Sequence, residues 1–200
     1  MIVAKSNLEV AIKASLHAGK EIIRIYNDTK ADLELELKTD DSPLTVADRN
    51  ANEVILSYLS QTSFPVLSEE GGEIPYEVRK DWALFWMVDP LDGTKDFLRR
   101  NGEFTVNIAL ISNREPVLGV IYIPDRQVLY FAEKGSGAFK ITDVVWDDAV
   151  DWNKLLLRAV KLPLPMYREG VIVASSRSYV NVHVAAFVDN LREQGSEVTL

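Results

Sequence analysis

The stretch Trp86 to Phe97, WMVDPLDGTKDF, sets two aspartates three residues apart directly after an apolar run. Asp-Pro and Asp-Gly are common turn dipeptides, and Asp89 followed by Pro90 suits the first two positions of a type I turn. Such a turn puts the Asp89 and Asp92 carboxylates on one side and aims the Leu91 carbonyl inward. Gly93 allows backbone torsions closed to other residues. Gly93, Thr94 and Lys95 begin the next element, where free N–H groups favour an anion. One short loop thus offers hard oxygen ligands for a cation and donors for a phosphate. Magnesium suits that combination, because it takes carboxylates together with substrate phosphate oxygens. Read singly, each dipeptide is only a turn. Read together, between an apolar strand and Thr-Lys, they predict a magnesium-phosphate site.

Two further acidic points could complete it. LSEEGG sets Glu69 and Glu70 just past a strand end, and TVADRN sets Asp48 near a helix start. Alone, the glutamates read as a solvated turn and Asp48 as compensation of the helix dipole. Beside DPLDGT they become candidates for the same site.

Stepping along the chain gives the elements that must hold these groups. Leu8, Ile12, Ile22, Ile23 and Tyr26 recur at roughly helical spacing, and Ser6 with Glu9 has the form of a capping box. This predicts an amphipathic helix covering a sheet. Asp32 to Lys38 alternates as a half-exposed strand does. Thr45 to Gln61 predicts a second helix, with Ala47, Ala51, Val54, Ile55, Tyr58 and Leu59 on one side. A short strand at FPVL, a strand over Ala83 to Val88 and a short helix or turn at Asp96 to Arg100 follow. FTVNIALI, PVLGVIYIP, QVLYFAE and GAFKI, separated by turn-rich breaks, predict an antiparallel meander. Thr142 to Met166 reads as an extended connection, GVIVASSRS as a strand entering a serine-rich turn, and YVNVHVAAFVDNLRE as a helix. The order predicts an α/β layered protein with a domain change near residue 141.

Composition excludes several functions. The 200 residues carry a net charge of -8, which argues against a nucleic-acid surface while leaving phosphate substrates open through bound cations. No cysteine is present, so disulfides, zinc-thiolate sites and thiol nucleophiles are out. The N-terminal residues lack the unbroken apolar core of a signal peptide or membrane span. A cytoplasmic protein is expected, with peripheral contact at the inner membrane and a homodimer both compatible with the sequence.

With these residues assembled, the chain resembles the inositol monophosphatase superfamily of magnesium-dependent, lithium-sensitive phosphatases. Phe85 to Ile111, FWMVDPLDGTKDFLRRNGEFTVNIALI, is most similar to the 3'(2'),5'-bisphosphate nucleotidase branch. Lys95, where inositol phosphatases usually carry Thr or Ser, and the following RNGEFTVNIALI discriminate that branch. DDSPLTVAD and VIVASSRS resemble it too. The resemblance implies the αβαβα sugar-phosphatase-like fold, with an antiparallel-sheet domain over 1–141 carrying the metal and phosphate. Residues 142–200 would then begin a C-terminal α/β substrate domain that is incomplete. It implies hydrolysis of the 3'-phosphate of 3'-phosphoadenosine 5'-phosphate to AMP and phosphate by in-line attack of metal-activated water. Glu69, Asp89 and the Leu91 carbonyl would bind the first Mg2+, and Asp89 with Asp92 would bridge towards a second. Asp48 and Thr94 would orient the attacking water, and Gly93 and Thr94 amides would hold the phosphate. Lys95 and Arg100 would neutralise the acidic cluster. Ser176 and Ser178 resemble a turn that helps hold nucleotide, with Tyr179 in place of the family histidine. Lys38 reads either as a family lysine near the site or as a surface strand end.

One departure bears on activity. The family pattern continues past EVTL to a WDxAAG segment whose aspartate is a metal ligand, whereas this chain stops at Leu200. Trp146 and Asp147 in VWDDAVDW lie before the SRS turn and read as connection sequence. The natural protein is therefore expected to be longer. The alternatives are an inositol or sugar monophosphatase, or an inactive fragment with a binding or structural role. A haloacid-type phosphatase is rejected, because its nucleophile loop needs aspartates two apart.

Overall fold

Ser6 begins the first helix by accepting a hydrogen bond from the Glu9 N–H at 3.1 Å. The Glu9 carboxylate turns instead to Lys13, at 2.6 Å, so the expected reciprocal box is replaced by an i,i+4 ion pair. The computed structural model describes residues 6–28, 36–37, 43–144, 151–165, 170–174 and 182–199. Lys38, Trp146, Asp147, Ser176, Ser178 and Tyr179 lie outside the described residues.

Contacts divide the chain into two compact units, 1–163 and 164–200. In the first, α1 (Asn7–Asn27) and α2 (Val46–Leu59) pack on one face of a seven-stranded sheet. Its strands run in chain order: β3 (Val66–Ser68), β4 (Leu84–Asp92), β5 (Thr105–Ser112), β6 (Glu115–Ile123), β7 (Val128–Glu133), β8 (Gly137–Ile141) and β9 (Val160–Lys161). β3 is parallel to β4, and every later neighbour is antiparallel. The meander from β5 to β8 is the one its turn chemistry predicts. A two-stranded piece, β1 (Glu36–Leu37) with β2 (Pro43–Leu44), is what the described residues retain of the expected strand at Asp32 to Lys38. Single-turn helices α3 (Tyr76–Arg79) and α5 (Trp152–Leu156) were not signalled by periodicity, being too short to show one.

The division into units falls after Pro163. The reason is local: β9 adds to β8, pairing Phe139 with Lys161, and Leu155 of α5 is buried in the main core. The second unit holds α6 (Val182–Glu193) and the parallel pair β10 (Val171–Ile172) and β11 (Val198–Thr199). No helix among the described residues is long and apolar enough to cross a membrane.

Alternation decides the layers. Trp86 and Val88 of β4, Val106, Ile108 and Leu110 of β5, and Leu118, Val120 and Tyr122 of β6 are buried with α1 and α2. Ala11, Ala14, Ala18 and Gly19 of α1 are buried as well. A Cβ at Gly19 would sit 2.4 Å from Cε1 of Tyr122, so glycine there sets how close α1 lies to β6. Tyr122 is held by its hydroxyl, which donates to the Val144 carbonyl at 2.8 Å, and burial pushes its pKa up to about 12. The opposite face carries Met87, Ala109, Gly119 and Ile121, with Met87 45% and Ile121 46% exposed.

Candidate active site

The acidic stretch does not form the predicted turn. Asp89 to Asp92 belongs to β4, with Asp89 opposite Asn107 and Asp92 opposite Thr105. β4 therefore advances three residues while β5 retreats two, which is a β-bulge. Proline explains the choice, since Pro90 has no N–H for the ladder and a bulge is where a strand tolerates it. The consequence is one of parity. In a regular strand, residues three apart face opposite sides. The extra residue cancels that inversion, because directly opposed residues share a face and Thr105 and Asn107 are two apart. Asp89, Asp92, Thr105 and Asn107 all line one groove of about 860 Å³ on the sheet face opposite the helices.

Glu69 reaches the same groove from β3. Parallel pairing sets Ser68 beside Val88, and the Glu69 N–H donates to the Val88 carbonyl at 2.9 Å. Glu69 and Asp92 are exposed and Asp89 is half-buried. The Oδ1 atom of Asp89 is buried and takes no hydrogen bond, although the residue makes other contacts. The donor chemistry of this row is hard oxygen, with no histidine or cysteine in the groove lining, and it fits magnesium better than zinc or copper. Among the described residues no three such side chains converge into a ready-made cage. The row is open.

Asp48 and Thr94 meet beside it. Asp48 is the third residue of α2 and completes a capping box with Thr45. Asp48 Oδ2 accepts from the Thr45 N–H at 2.8 Å and the Thr45 hydroxyl at 2.5 Å. Its Oδ1 lies 3.1 Å from the Thr94 hydroxyl, which is also 3.3 Å from the Leu91 carbonyl. Asp48 is fully buried, and that burial raises its pKa above the ordinary 3.8, against the lowering effect of the Thr45 and Thr94 hydrogen bonds.

Gly93 links the two groups. Its φ of 94° is left-handed, and a Cβ would stand 2.7 Å from the Glu103 carbonyl, so both torsion and space require glycine. It caps α4 (Thr94–Arg99), which starts two residues earlier than predicted. Lys95 is exposed on the first turn of α4. The Arg100 guanidinium turns to α1 rather than to the acidic cluster: it donates to the Tyr26 carbonyl and lies 5.2 Å over the Tyr26 ring, tying α4 to the end of α1. A ring cluster of Tyr26, Phe97 and Phe104 backs this junction.

Asn107 and Thr105 were missed as site residues. The signal was available, since FTVNIALI carries both polar residues on the face opposite Val106, Ile108 and Leu110. Asn52 was missed as well; its Oδ1 accepts from the Ser68 hydroxyl at 2.7 Å, tying α2 to the strand that delivers Glu69.

Comparison with known proteins agrees with the geometry. Residues 4–181 match the inositol monophosphatase family. A 3'(2'),5'-bisphosphate nucleotidase CysQ of Salmonella typhimurium is 40% identical over 189 residues, covering 93% of this chain and 70% of the relative. The crystal structure of CysQ from Bacteroides thetaiotaomicron, a bacterial member of the inositol monophosphatase family, superposes with a TM-score of 0.85 at 44% identity. That match covers 100% of this chain and 73% of that one. The extragenic suppressor protein suhB of Bartonella henselae gives a TM-score of 0.58 at 38% identity, over 68% of this chain and 51% of that one. On the family match over residues 4–181 and the identity to these relatives, the chain belongs to the inositol monophosphatase family.

Proposed function

We propose that the chain is a magnesium-dependent 3'(2'),5'-bisphosphate nucleotidase that releases the 3'-phosphate of 3'-phosphoadenosine 5'-phosphate, giving AMP and phosphate. The observation that carries the reading is the bulge at Pro90. It turns Asp89 and Asp92 to one face beside Glu69, with Asp92 two residues before the Thr94 that contacts Asp48. Identity to CysQ relatives supports the nucleotide over other phosphate esters.

Glu69, Asp89, Asp92 and the Leu91 carbonyl would hold Mg2+, which when bound supplies Lewis-acid charge against the phosphate. The remaining work falls to the chain. Thr94 has one hydroxyl hydrogen and two acceptors within reach. When it donates to Asp48, its oxygen lone pairs are left to accept a hydrogen bond from an incoming water. Asp48 thereby acts through Thr94, orienting the water for in-line attack. Gly93 and Thr94 amides would receive phosphate oxygens, and Lys95 would approach the substrate's second phosphate. Ser176 and Ser178 are assigned to the nucleotide by resemblance. The substrate is a small molecule rather than a nucleic acid polymer, and a cytoplasmic location suits it.

Phosphate release should be measured with adenosine bisphosphate, inositol phosphate and fructose bisphosphate, across magnesium and with and without lithium. The proposal expects magnesium-dependent, lithium-sensitive release with strong preference for adenosine bisphosphate. Preference for inositol phosphate would move the chain to the neighbouring activity. The open row of carboxylates favours a second reading, in which the chain binds substrate without turnover. Nucleotide binding without phosphate release under saturating magnesium would establish that reading instead.

A further inference from the structure

We infer that Asn107, oriented by Thr105, is a positioning residue for the Asp92 carboxylate and so tunes how tightly the groove takes a divalent cation. The inference rests on the phosphatase reading above. Asn107 Nδ2 lies 3.3 Å from Asp92 Oδ2, and Thr105 Oγ1 lies 3.2 Å from Asn107 Oδ1. The direction of this chain follows from what each group can do. An ionised carboxylate only accepts hydrogen bonds, so the amide presents its NH2 side to Asp92. The amide oxygen is then left facing Thr105, whose hydroxyl is the donor that satisfies it. Asp92 sets the amide orientation, and the Thr105 hydroxyl reinforces it by donating to the amide oxygen and holding the side chain in place.

The sheet builds the relay. Thr105 stands directly opposite Asp92 and Asn107 directly opposite Asp89, all on the groove side. Asn107 spans the bulge diagonally, reaching the aspartate that is not its own ladder partner. Asp92 is exposed on a strand end. Without a fixed donor its side chain would sample rotamers that turn away from the groove, and each binding event would have to select the productive one. With one oxygen engaged by the neutral amide, the other is left for the cation. No charge is lost from the acidic row, which a lysine at the same position would cost it.

The test is magnesium titration by calorimetry on the purified chain, beside thermal unfolding and magnesium-dependent phosphate release. Asn107→Leu keeps the size but removes the donor, and should raise the magnesium dissociation constant about 2- to 10-fold, the range of one net hydrogen bond. At saturating magnesium kcat should return to within about twofold of the wild type, because positioning and not chemistry was removed. Thr105→Val should weaken magnesium in the same direction by a smaller factor, and Thr105→Ser, which keeps the hydroxyl, should restore wild-type affinity. An unchanged dissociation constant in Asn107→Leu, with the wild type binding normally, overturns the inference alone. A lowered unfolding temperature with unchanged affinity does the same by making Asn107 merely structural. Absence of divalent-cation binding in the wild type overturns the phosphatase reading and this inference with it.

Discussion

Asp48→Asn separates what Asp48 does for the fold from what it does for the reaction. The wild-type carboxylate is fully buried and accepts from the Thr45 N–H, the Thr45 hydroxyl and the Thr94 hydroxyl. Asparagine can place its oxygen where Oδ2 stands and keep both Thr45 bonds. Its NH2 then faces Thr94, so the Thr94 oxygen becomes an acceptor and its hydrogen turns to the Leu91 carbonyl. Two changes in stability oppose each other: charge-assisted bonds become neutral ones, and the desolvation of a buried charge disappears. Each is about 1–3 kcal/mol, so the net change should be within about 1 kcal/mol of zero. Asp48→Ala has no such compensation. It strips the cap and leaves the buried Thr45 N–H unsatisfied, and should cost about 2–4 kcal/mol.

Activity should behave differently. Reversing the Thr94 hydroxyl fills one of its two lone pairs and re-aims the other, so the attacking water is misplaced and kcat should fall about 10²-fold. The pH dependence gives an independent check. The folded pKa of Asp48 lies above its ordinary value of 3.8. A raised carboxyl pKa means the folded state binds the proton more tightly than the unfolded one. Its contribution is therefore fully present below 3.8 and is lost as pH rises through the folded value. The Asp48→Asn protein lacks that loss, so its stability relative to wild type should climb over the same window. Urea melts from pH 4 to pH 7, paired with phosphate release at saturating magnesium, measure both. Parallel stability curves together with turnover within tenfold of wild type would refute the reasoning.

Gly19→Ala ordinarily gains about 1 kcal/mol in a helix, but here the new methyl would meet the pinned, buried Tyr122 ring. Overpacking of about 1–3 kcal/mol should outweigh the gain, and the Tyr122→Leu background should turn the same change stabilising in a double-mutant denaturation cycle. Asp92→Asn removes one anionic oxygen donor from the groove without changing its shape. Phosphate release under magnesium should be abolished while the unfolding midpoint stays near wild type, and turnover near wild type would sink the metal assignment.

How far the site was legible depends on the range of the interaction that sets each feature. Helices α1 and α2 were readable because their apolar faces repeat over several turns, and the meander because its breaks carry turn residues. β9 was not, since a two-residue strand has no periodicity and exists only because β8 offers an open edge. Asp48 was placed correctly at a helix start, but its partner Thr94 is 46 residues away, and no local pattern announces that contact.

DPLDGT shows the boundary most clearly. Asp-Pro followed by Asp-Gly predicts a type I turn, and the prediction that both carboxylates share a side is right for a different reason. Proline forbids a ladder bond just as it favours a turn corner, so both a turn and a bulge answer the same local constraint. What decides between them is β5. Its polar residues Thr105 and Asn107 pair with Asp92 and Asp89 and draw the stretch into the sheet. A turn would have ended the sheet before the acids. The bulge instead keeps them inside it, where neighbouring strands bring Glu69 on one side and Asn107 on the other. The chemistry of the motif is local in sequence, but its orientation is a property of three strands.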